Sequence, residues 1–136
     1  MNTDLINIRW GILGCGKIAK KFAQDLTKVS NAELYAVGSR SQQKADAFAR
    51  EFGGAKAFGS YEELAACEEV DAIYIATAHS FHKENSILCL RHKKAVLCEK
   101  PFAMNANEVH DMIAAAQENN VLLMEALWTY FLPHYQ

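Results

Sequence analysis

The sequence predicts an α/β fold, a doubly wound parallel sheet in a single domain with helices on both faces. Two observations carry this prediction. Short apolar runs of strand length alternate with helical patterns along the whole chain, which favours parallel strands joined by right-handed crossovers. The first apolar run, Ile8 to Leu13, passes through Gly14-Cys15-Gly16 directly into a helical pattern.

The first half of the chain is predicted to hold three strands and three helices. The strands are Ile8 to Leu13, Glu33 to Ser39 and Lys56 to Phe58. The first helix is ended by Ser30-Asn31 and has an inward stripe of Ile18, Phe22, Leu26 and Val29. The second runs from about Ser41, its cap, to Phe52 and stops at Gly53-Gly54, with Ala45, Phe48 and Ala49 inward. Ser60 and Glu63 predict a capping box for a short third helix.

The second half is predicted to hold three further strands and two helices. The strands are Ala72 to Thr77, Ala95 to Cys98 and Val121 to Leu127, and the first of them is apolar on both faces, as a buried parallel strand should be. The helices are Ser80 to Arg91 and a segment that opens at Asn105 or Asn107 and closes at Asn119-Asn120. Predicted inward or core side chains are Val109, Met112, Ile113, Ala116 and Met124.

Composition excludes several classes of protein. The chain has 136 residues, 51% of them hydrophobic, with a formal net charge of -2 and no basic patch of the kind that nucleic-acid binding needs. No apolar run approaches the ~18 residues of a membrane span, and the N-terminal residues lack a signal-peptide layout. Four isolated cysteines, Cys15, Cys67, Cys89 and Cys98, indicate reduced thiols in a cytoplasmic protein.

The glycine loop has the spacing of the dinucleotide-binding fingerprint, Gly-x-Gly-x-x-Ala. Gly14 permits a sharp turn, Gly16 lets a pyrophosphate approach the backbone, and Ala19 keeps the helix close to the strand. The N–H groups of the first helical turn, at Lys17 and Ile18, then point at the phosphates. Cys15 is expected to pack beside the pyrophosphate. The loop therefore predicts a bound dinucleotide.

The end of the second strand predicts which dinucleotide is bound. A site for NAD places an acid ~20 residues beyond the glycines to hold the ribose 2′-hydroxyl. This strand instead ends in Ser39-Arg40, with no acid before Asp46. An arginine fork binds a 2′-phosphate, so we predict NADP(H), held by Ser39 and Arg40 with assistance from Lys44. In the alternative interpretation Arg40 is a solvated loop residue and the cofactor is NAD(H).

Polar residues follow the fourth and fifth strands, where ligands bind in open α/β sheets. They are Thr77, His79 and His82, and then Glu99-Lys100-Pro101. A partly buried Lys100 could exchange a proton with a carbinol oxygen during hydride transfer, with Glu99 orienting it. In the alternative, Lys100 merely ends a strand in solvent. His79-x-x-His82 with Glu84 is not a zinc spacing, and no metal site is predicted.

Four segments together resemble the Gfo/Idh/MocA oxidoreductases: Gly14 to Ala19, Ala76 to His82, Glu99-Lys100-Pro101 and Met124 to Trp128. Ser39-Arg40 and the last segment look most like the dihydrodiol and NADP-linked xylose dehydrogenase branch. The resemblance implies that Lys100 is the catalytic-site lysine and that Trp128 faces the substrate or cofactor cleft. It also implies that the nicotinamide end is lined by Thr77, His79, His82 and Glu99.

Members of that family carry a second domain that supplies the substrate pocket, a further acid/base residue and a dimer surface. We therefore expect residues 1–128 to form the NAD(P)-binding domain and residues 129–136 to begin a linker to a C-terminal domain that this chain lacks. The expected function is hydride transfer between NADP(H) and a sugar or a vicinal or cyclic diol, in a homo-oligomeric parent enzyme. Alone, the chain is expected to bind cofactor and to be catalytically incomplete. The alternative is a non-catalytic NADP(H)-binding sensor or regulatory module, because this fold hosts both.

Overall fold

Residues 5–135 are described by the computed structural model, so the predicted limits at residues 1 and 136 lie outside the described residues. The strands are β1 (Ile8–Leu13), β2 (Ala32–Gly38), β3 (Lys56–Phe58), β4 (Ala72–Ile75), β5 (Ala95–Glu99) and β6 (Leu123–Ala126). The helices are α1 (Lys17–Leu26), α2 (Gln42–Phe52), α3 (Tyr61–Ala65), α4 (His82–Arg91) and α5 (Ala106–Asn119). Three short 3-10 turns lie at His79–Phe81, Trp128–Phe131 and Pro133–Tyr135.

The strands form one parallel sheet in the order β3-β2-β1-β4-β5-β6, which confirms the predicted doubly wound fold. From β1 the chain builds outward to β3, and it then crosses back to place β4 on the other side of β1. The strand order therefore reverses between β1 and β4. In open α/β sheets the crevice outside the carboxyl ends of the strands at such a point is where ligands bind.

Each face of the sheet has its own apolar core. On the face covered by α3, α4 and α5, fully buried side chains include Leu64, Ile73, Leu90 and Met112. On the other face, Ala19 and Ala23 of α1 and Phe48 and Ala49 of α2 pack on Ile12, Val37 and Tyr74 of the sheet. Small residues on α1 let that helix lie close to β1, as the glycine-loop pattern predicts.

The predicted N-cap residues are confirmed, although among the described residues the Glu63 side chain does not return the bond to the Ser60 N–H that a full capping box requires. The Ser41 hydroxyl accepts a hydrogen bond from the Lys44 N–H, and the Ser60 hydroxyl accepts one from the Glu63 N–H. Asn105, not Asn107, caps α5, because its side-chain oxygen accepts from the Glu108 N–H at 3.0 Å. Gly53 ends α2 with a φ of +84°. These contacts depend on residues close in sequence, which is why spacing alone predicts them.

Four side chains that the periodicity places inside are instead substantially exposed: Ile18 at 41%, Val29 at 46%, Ile113 at 41% and Met124 at 40%. Val29 lies beyond α1, which ends at Leu26 rather than at Ser30-Asn31. Leu26 is buried as predicted, but the other buried residues of α1 are Ala19 and Ala23, each one position after the predicted Ile18 and Phe22. Ile18 and Met124 both line a groove beside β5 and β6 that no described helix covers. Helical periodicity predicts which face of a helix is apolar, but it does not predict which of those side chains a neighbouring element buries.

Three element boundaries also differ from the prediction. The predicted helix from Ser80 begins as the 3-10 turn His79–Phe81, and α4 starts only at His82. β6 is shorter than Val121 to Leu127 because only Leu123–Ala126 pair with β5. β4 ends at Ile75, two residues before Thr77. In the two strands, the apolar run extends beyond the residues that pair with the neighbouring strand.

Candidate cofactor-binding site

A cleft of about 420 Å³ lies at the carboxyl ends of β1 and β4. Its lining includes Gly14, Cys15 and Gly16 from the glycine loop, Arg40 from the loop after β2, and Thr77 from the loop after β4. Three separate predictions therefore meet at the point where the strand order reverses. The volume and the mixed polar lining suit a small-molecule ligand.

Gly14 and Gly16 of the glycine loop each lack a side chain for a different geometric reason. Gly14 has a φ of +104°, and a Cβ on it would lie 3.1 Å from the Ala76 backbone, so the loop can contact β4 only without a side chain. Gly16 has ordinary φ, and a Cβ built on it would meet no atom within 4 Å. A side chain at Gly16 would thus project into open space in front of the loop.

The start of α1 is suited to an anion. Gly16 is the N-cap of this helix of 10 residues and provides no side-chain acceptor for the first-turn N–H groups. Lys17 and Ile18, both exposed, begin the helix, and no acidic residue lies in the first turn. Unpaired N–H groups and the positive end of the helix dipole favour a phosphate there. An open backbone at Gly16 and free N–H groups behind it fit the pyrophosphate of a dinucleotide.

Arg40 forms the wall of the cleft after β2, and Ser39 precedes it in the same loop. Ser39 is buried, its N–H donates to the Phe58 carbonyl, and its hydroxyl accepts from the Ser41 N–H. Arg40 is exposed and lines the cleft, and it forms no ion pair with any described residue. Lys44 lies exposed in the first turn of α2. Ser39 shapes the loop, and the guanidinium of Arg40 is available to a ligand.

Cys15 is half-buried between the glycine loop and this wall. Burial raises the pKa of its thiol, and a hydrogen bond with Ser39 and the positive charge of Lys44 offset this only in part. A thiol in that environment is neutral and packs as a small apolar group. The prediction that Cys15 has a packing role thus gains a physical reason.

The two histidines after β4 lie in different surroundings. His79 is exposed in the 3-10 turn. His82 is only 1% exposed, and its ring nitrogens lie 2.8 Å from the Pro101 carbonyl oxygen and 2.9 Å from the Thr77 carbonyl oxygen. His82 therefore joins the loop after β4 to the loop after β5 and presents no surface to a ligand. Asn85, which the sequence analysis missed, donates to the Thr77 hydroxyl at 2.9 Å.

Glu99 and Lys100 end β5 with different environments. Glu99 is 9% exposed, and its carboxylate accepts a hydrogen bond of 3.0 Å from the Tyr74 hydroxyl. We expected Glu99 to orient Lys100; its partner is instead Tyr74, because strand alternation points adjacent side chains in opposite directions. We expected Lys100 to be partly buried, and it is exposed, since no described element covers the end of β5.

Tyr74 is a second residue near the site, after Asn85, that sequence reasoning missed. Its ring stacks on Phe22 with centroids 4.0 Å apart, and burial followed by the Glu99 charge raises the pKa of its hydroxyl. A signal for it exists in the sequence, because Tyr74 is the one polar-tipped residue in the run Ala72 to Ile75. Its pairing with Leu97, two residues before Glu99, appears only once the strands are in register.

Trp128 lies outside the cleft that Gly16 and Arg40 line. It is 61% exposed and lines a separate apolar groove of about 550 Å³, together with Ile18, Phe22, Tyr74 and Glu99. This groove is on the α1 face of the sheet, beside β5 and β6. Glu99 and Ile18 contribute to the groove and to neither wall of the cleft. Of the predicted site residues, five line the cleft and three line the groove. The other six line neither surface: Lys17, Ser39, Lys44, His79, His82 and Lys100.

Among residues 5–135, no three histidine, cysteine, aspartate or glutamate side chains are grouped closely enough to hold a metal ion. Within the same range no helix is both long and apolar enough to cross a membrane.

Comparison with known proteins gives consistent results. The chain is 47% identical over 128 residues to mouse trans-1,2-dihydrobenzene-1,2-diol dehydrogenase, and 43% identical over 129 residues to the Bacillus subtilis scyllo-inositol 2-dehydrogenase (NADP(+)) IolU. These alignments cover 93% and 95% of this chain, which spans only 38% and 39% of the length of those relatives.

Solved structures agree with the fold. The 3-ketoreductase KijD10 from Actinomadura kijaniata, in complex with TDP-benzene and NADP, matches with a TM-score of 0.90 and 32% identity over 95% of this chain and 41% of its own. A sequence model described as "oxidoreductase family, NAD-binding Rossmann fold" matches residues 8–127. Together with the cleft described above, these matches show that the chain belongs to the Gfo/Idh/MocA family of oxidoreductases, in its NAD-binding Rossmann domain.

Proposed function

We propose that this chain is the cofactor-binding part of an NADP(H)-dependent dehydrogenase that transfers hydride between the nicotinamide and the carbinol carbon of a sugar or a vicinal or cyclic diol. The observation that carries the proposal is the cleft in which the open backbone at Gly16 faces the guanidinium of Arg40. The substrate class rests on relatives named for a dihydrodiol and for scyllo-inositol. All of these substrates present adjacent hydroxyl groups on a ring.

NADP(H) is proposed over NAD(H) on electrostatic grounds. Arg40 and Lys44 place two positive charges at the end of β2, and the first acid after that strand, Asp46, is occupied by Gln42. One relative is named for NADP(+), and one similar structure contains NADP. The alternative, NAD(H), would need a carboxylate for the ribose hydroxyls, and Glu62 and Glu84 are the acids that line the same cleft.

Residues at one end of the crevice would bind the phosphates of the cofactor, and residues at the other end would take part in proton transfer. The first turn of α1 and Gly16 hold the pyrophosphate, while Ser39 shapes the loop that presents Arg40 to the 2′-phosphate. When bound, the cofactor supplies or accepts the hydride. Lys100 would donate a proton to the carbonyl oxygen of the substrate in reduction and remove one from the carbinol oxygen in oxidation. Thr77 and His79 follow β4, the strand that pairs with β5.

The domain organisation is part of the same proposal. Residues 1–128 would form the cofactor-binding domain, and residues 129–136 would begin a linker to a second domain that covers Lys100 and Trp128. The relatives' greater length supports this, because the chain spans less than half of them. Assembly as a homo-oligomer would depend on that second domain. A cytoplasmic location is supported by four cysteines that are all free thiols.

Turnover by the full-length protein tests the proposal. We expect cyclic and vicinal diols or sugars to reduce NADP(+), measured by the absorbance of the reduced nicotinamide. Lys100→Met should abolish most of this turnover while leaving NADPH affinity unchanged, whereas Lys28→Met, an exposed lysine beyond α1, should affect neither. Cofactor binding with no turnover on any such substrate would favour a non-catalytic NADP(H)-sensing module. Absence of binding would overturn both.

A further inference from the structure

We propose that His82 is held as a positively charged imidazolium whose two N–H groups each donate a hydrogen bond to a different loop, and that it thereby positions Lys100 relative to the cofactor cleft. The charge state follows from the contacts of the ring itself. The consequence for turnover at Lys100 rests on the proposed function. His82 is a positioning residue in this proposal, because it is buried and touches no ligand surface.

The contacts of the ring require two donors. Nδ1 lies 2.8 Å from the Pro101 carbonyl oxygen, and Nε2 lies 2.9 Å from the Thr77 carbonyl oxygen. A carbonyl oxygen can only accept a hydrogen bond, and a neutral imidazole carries one N–H group and one lone pair. Only the imidazolium satisfies both contacts at once.

The other protonation states and orientations of the His82 ring leave at least one buried polar atom without a favourable partner. A neutral ring would point a nitrogen lone pair at a carbonyl oxygen less than 3 Å away, in a site where the side chain is 1% exposed and water cannot intervene. Turning the ring over exchanges each nitrogen for a carbon and removes both hydrogen bonds. The observed orientation is therefore specified by two donors rather than by one.

No carboxylate neutralises this charge among the described residues. The acids and bases on the elements around His82 have other contacts: Lys83 pairs with Asp111, Glu84 lines the cleft, Glu99 accepts from Tyr74, and Lys100 is exposed. The ring lies in the first turn of α4, where the helix dipole opposes positive charge. The second proton of the His82 ring is therefore stabilised by the contacts with the Thr77 and Pro101 carbonyl oxygens. The charge of the ring depends on the placement of the two loops, and their placement depends on the charge.

The two loops are the ones that carry the proposed chemistry. Thr77 lines the cleft and is also fixed by Asn85, while Pro101 directly follows Lys100. A rigid link between Thr77 and Pro101 sets the distance from the cleft to the lysine. Loss of one N–H group would release one of the loops and leave Lys100 free to move relative to the cleft.

The charge state can be read directly on the 136-residue chain. With ¹⁵N-labelled histidine at neutral pH, we expect the spectrum of His82 to show a bonded hydrogen on both ring nitrogens, each in slow exchange with water. His92 provides the comparison, because its ring is exposed and makes one hydrogen bond, to the Leu88 carbonyl of its own helix. A His82 spectrum with one bare nitrogen would overturn the proposal without any need for a variant.

The positioning role is tested with His82→Gln. Both amide hydrogens of glutamine sit on one nitrogen, so it can hold one loop but not both. In the full-length protein we expect roughly tenfold slower turnover, the order of one lost charge-assisted hydrogen bond, and no change for His92→Gln. Wild-type turnover by a folded His82→Gln protein would overturn the positioning role. A wild-type chain that fails to bind NADPH would instead refute the proposed function, with the nitrogen spectrum still deciding the charge state.

Discussion

The Tyr74 hydroxyl donates a hydrogen bond of 3.0 Å to the Glu99 carboxylate, across the paired strands β4 and β5. Tyr74 is 2% exposed and Glu99 is 9% exposed, so this carboxylate sits at the floor of an apolar groove with Tyr74 as its hydrogen-bonding partner among the described side chains. The pair fixes the last residue of β5 immediately before Lys100. The Tyr74–Glu99 bond thus holds the backbone immediately before the proposed catalytic lysine.

Tyr74→Phe should lower the free energy of unfolding by about 1–3 kcal/mol, because it leaves a buried carboxylate without its donor while keeping the ring that stacks on Phe22. Urea denaturation at neutral pH measures the change. Tyr130→Phe, at a tyrosine that is 68% exposed, is the control and should have little effect. Equal stability of the two variants would contradict the structural role of the Tyr74–Glu99 bond.

Gly16→Ala should weaken NADPH binding about tenfold or more, because the new methyl group would occupy the open space that the pyrophosphate needs. The chain should remain folded, since the φ of Gly16 is −82° and no described atom lies within 4 Å of the added carbon. Quenching or enhancement of NADPH fluorescence gives the affinity. Gly54→Ala, remote from the cleft at the end of α2, serves as the matched variant. If Gly16→Ala binds as tightly as the wild type, the phosphates do not lie at this loop.

Arg40→Ala should reduce the preference for NADPH over NADH about tenfold or more, since a guanidinium–phosphate contact contributes roughly 1.5–3 kcal/mol. NADH affinity should stay unchanged because it has no 2′-phosphate. Both dissociation constants are measured on the same protein, with Arg50→Ala, a surface arginine in the last turn of α2, as the control. An unaltered ratio of the two constants would favour the NAD(H) alternative.

Glu69→Gln should remove a contribution to the free energy of unfolding that the wild type has at neutral pH and loses in acid. The Lys56 ammonium, and after it the Cys67 thiol, lower the pKa of Glu69 from 4.5 to about 2 in the folded chain. A lowered carboxyl pKa stabilises the fold above the unfolded value, and this stabilisation is lost as the pH falls from 4.5 to about 2.

The difference in unfolding midpoint between the wild type and Glu69→Gln should therefore shrink across that pH window. Thermal unfolding at a series of pH values measures it, and Glu68→Gln, at the exposed neighbouring acid, is the control. A difference that stays constant down to pH 2 would show that the ion pair of 2.9 Å between Lys56 and Glu69 does not form in solution.

Several features of this protein were predictable because their causes are local in the sequence. The turn at Gly14 requires a positive φ, the cap at Ser41 needs an acceptor three residues before a free N–H, and an apolar run as short as Ala72 to Ile75 suits only a buried strand. Alternation of strands with helices then leaves few topologies. Because the glycine loop directly follows the first strand, the sequence alone placed it at the carboxyl edge of the sheet.

Register and burial were decided by the tertiary structure. The sequence by itself determined the parallel fold, the glycine loop and the polar residues at the strand ends. It could not pair Glu99 with Tyr74, place both ring nitrogens of His82 against carbonyl oxygens, or separate Trp128 from the cleft at Gly16. The physical reason is that each of these depends on which residues of different strands and loops face each other, and a period of two or of 3.6 residues describes only one element at a time.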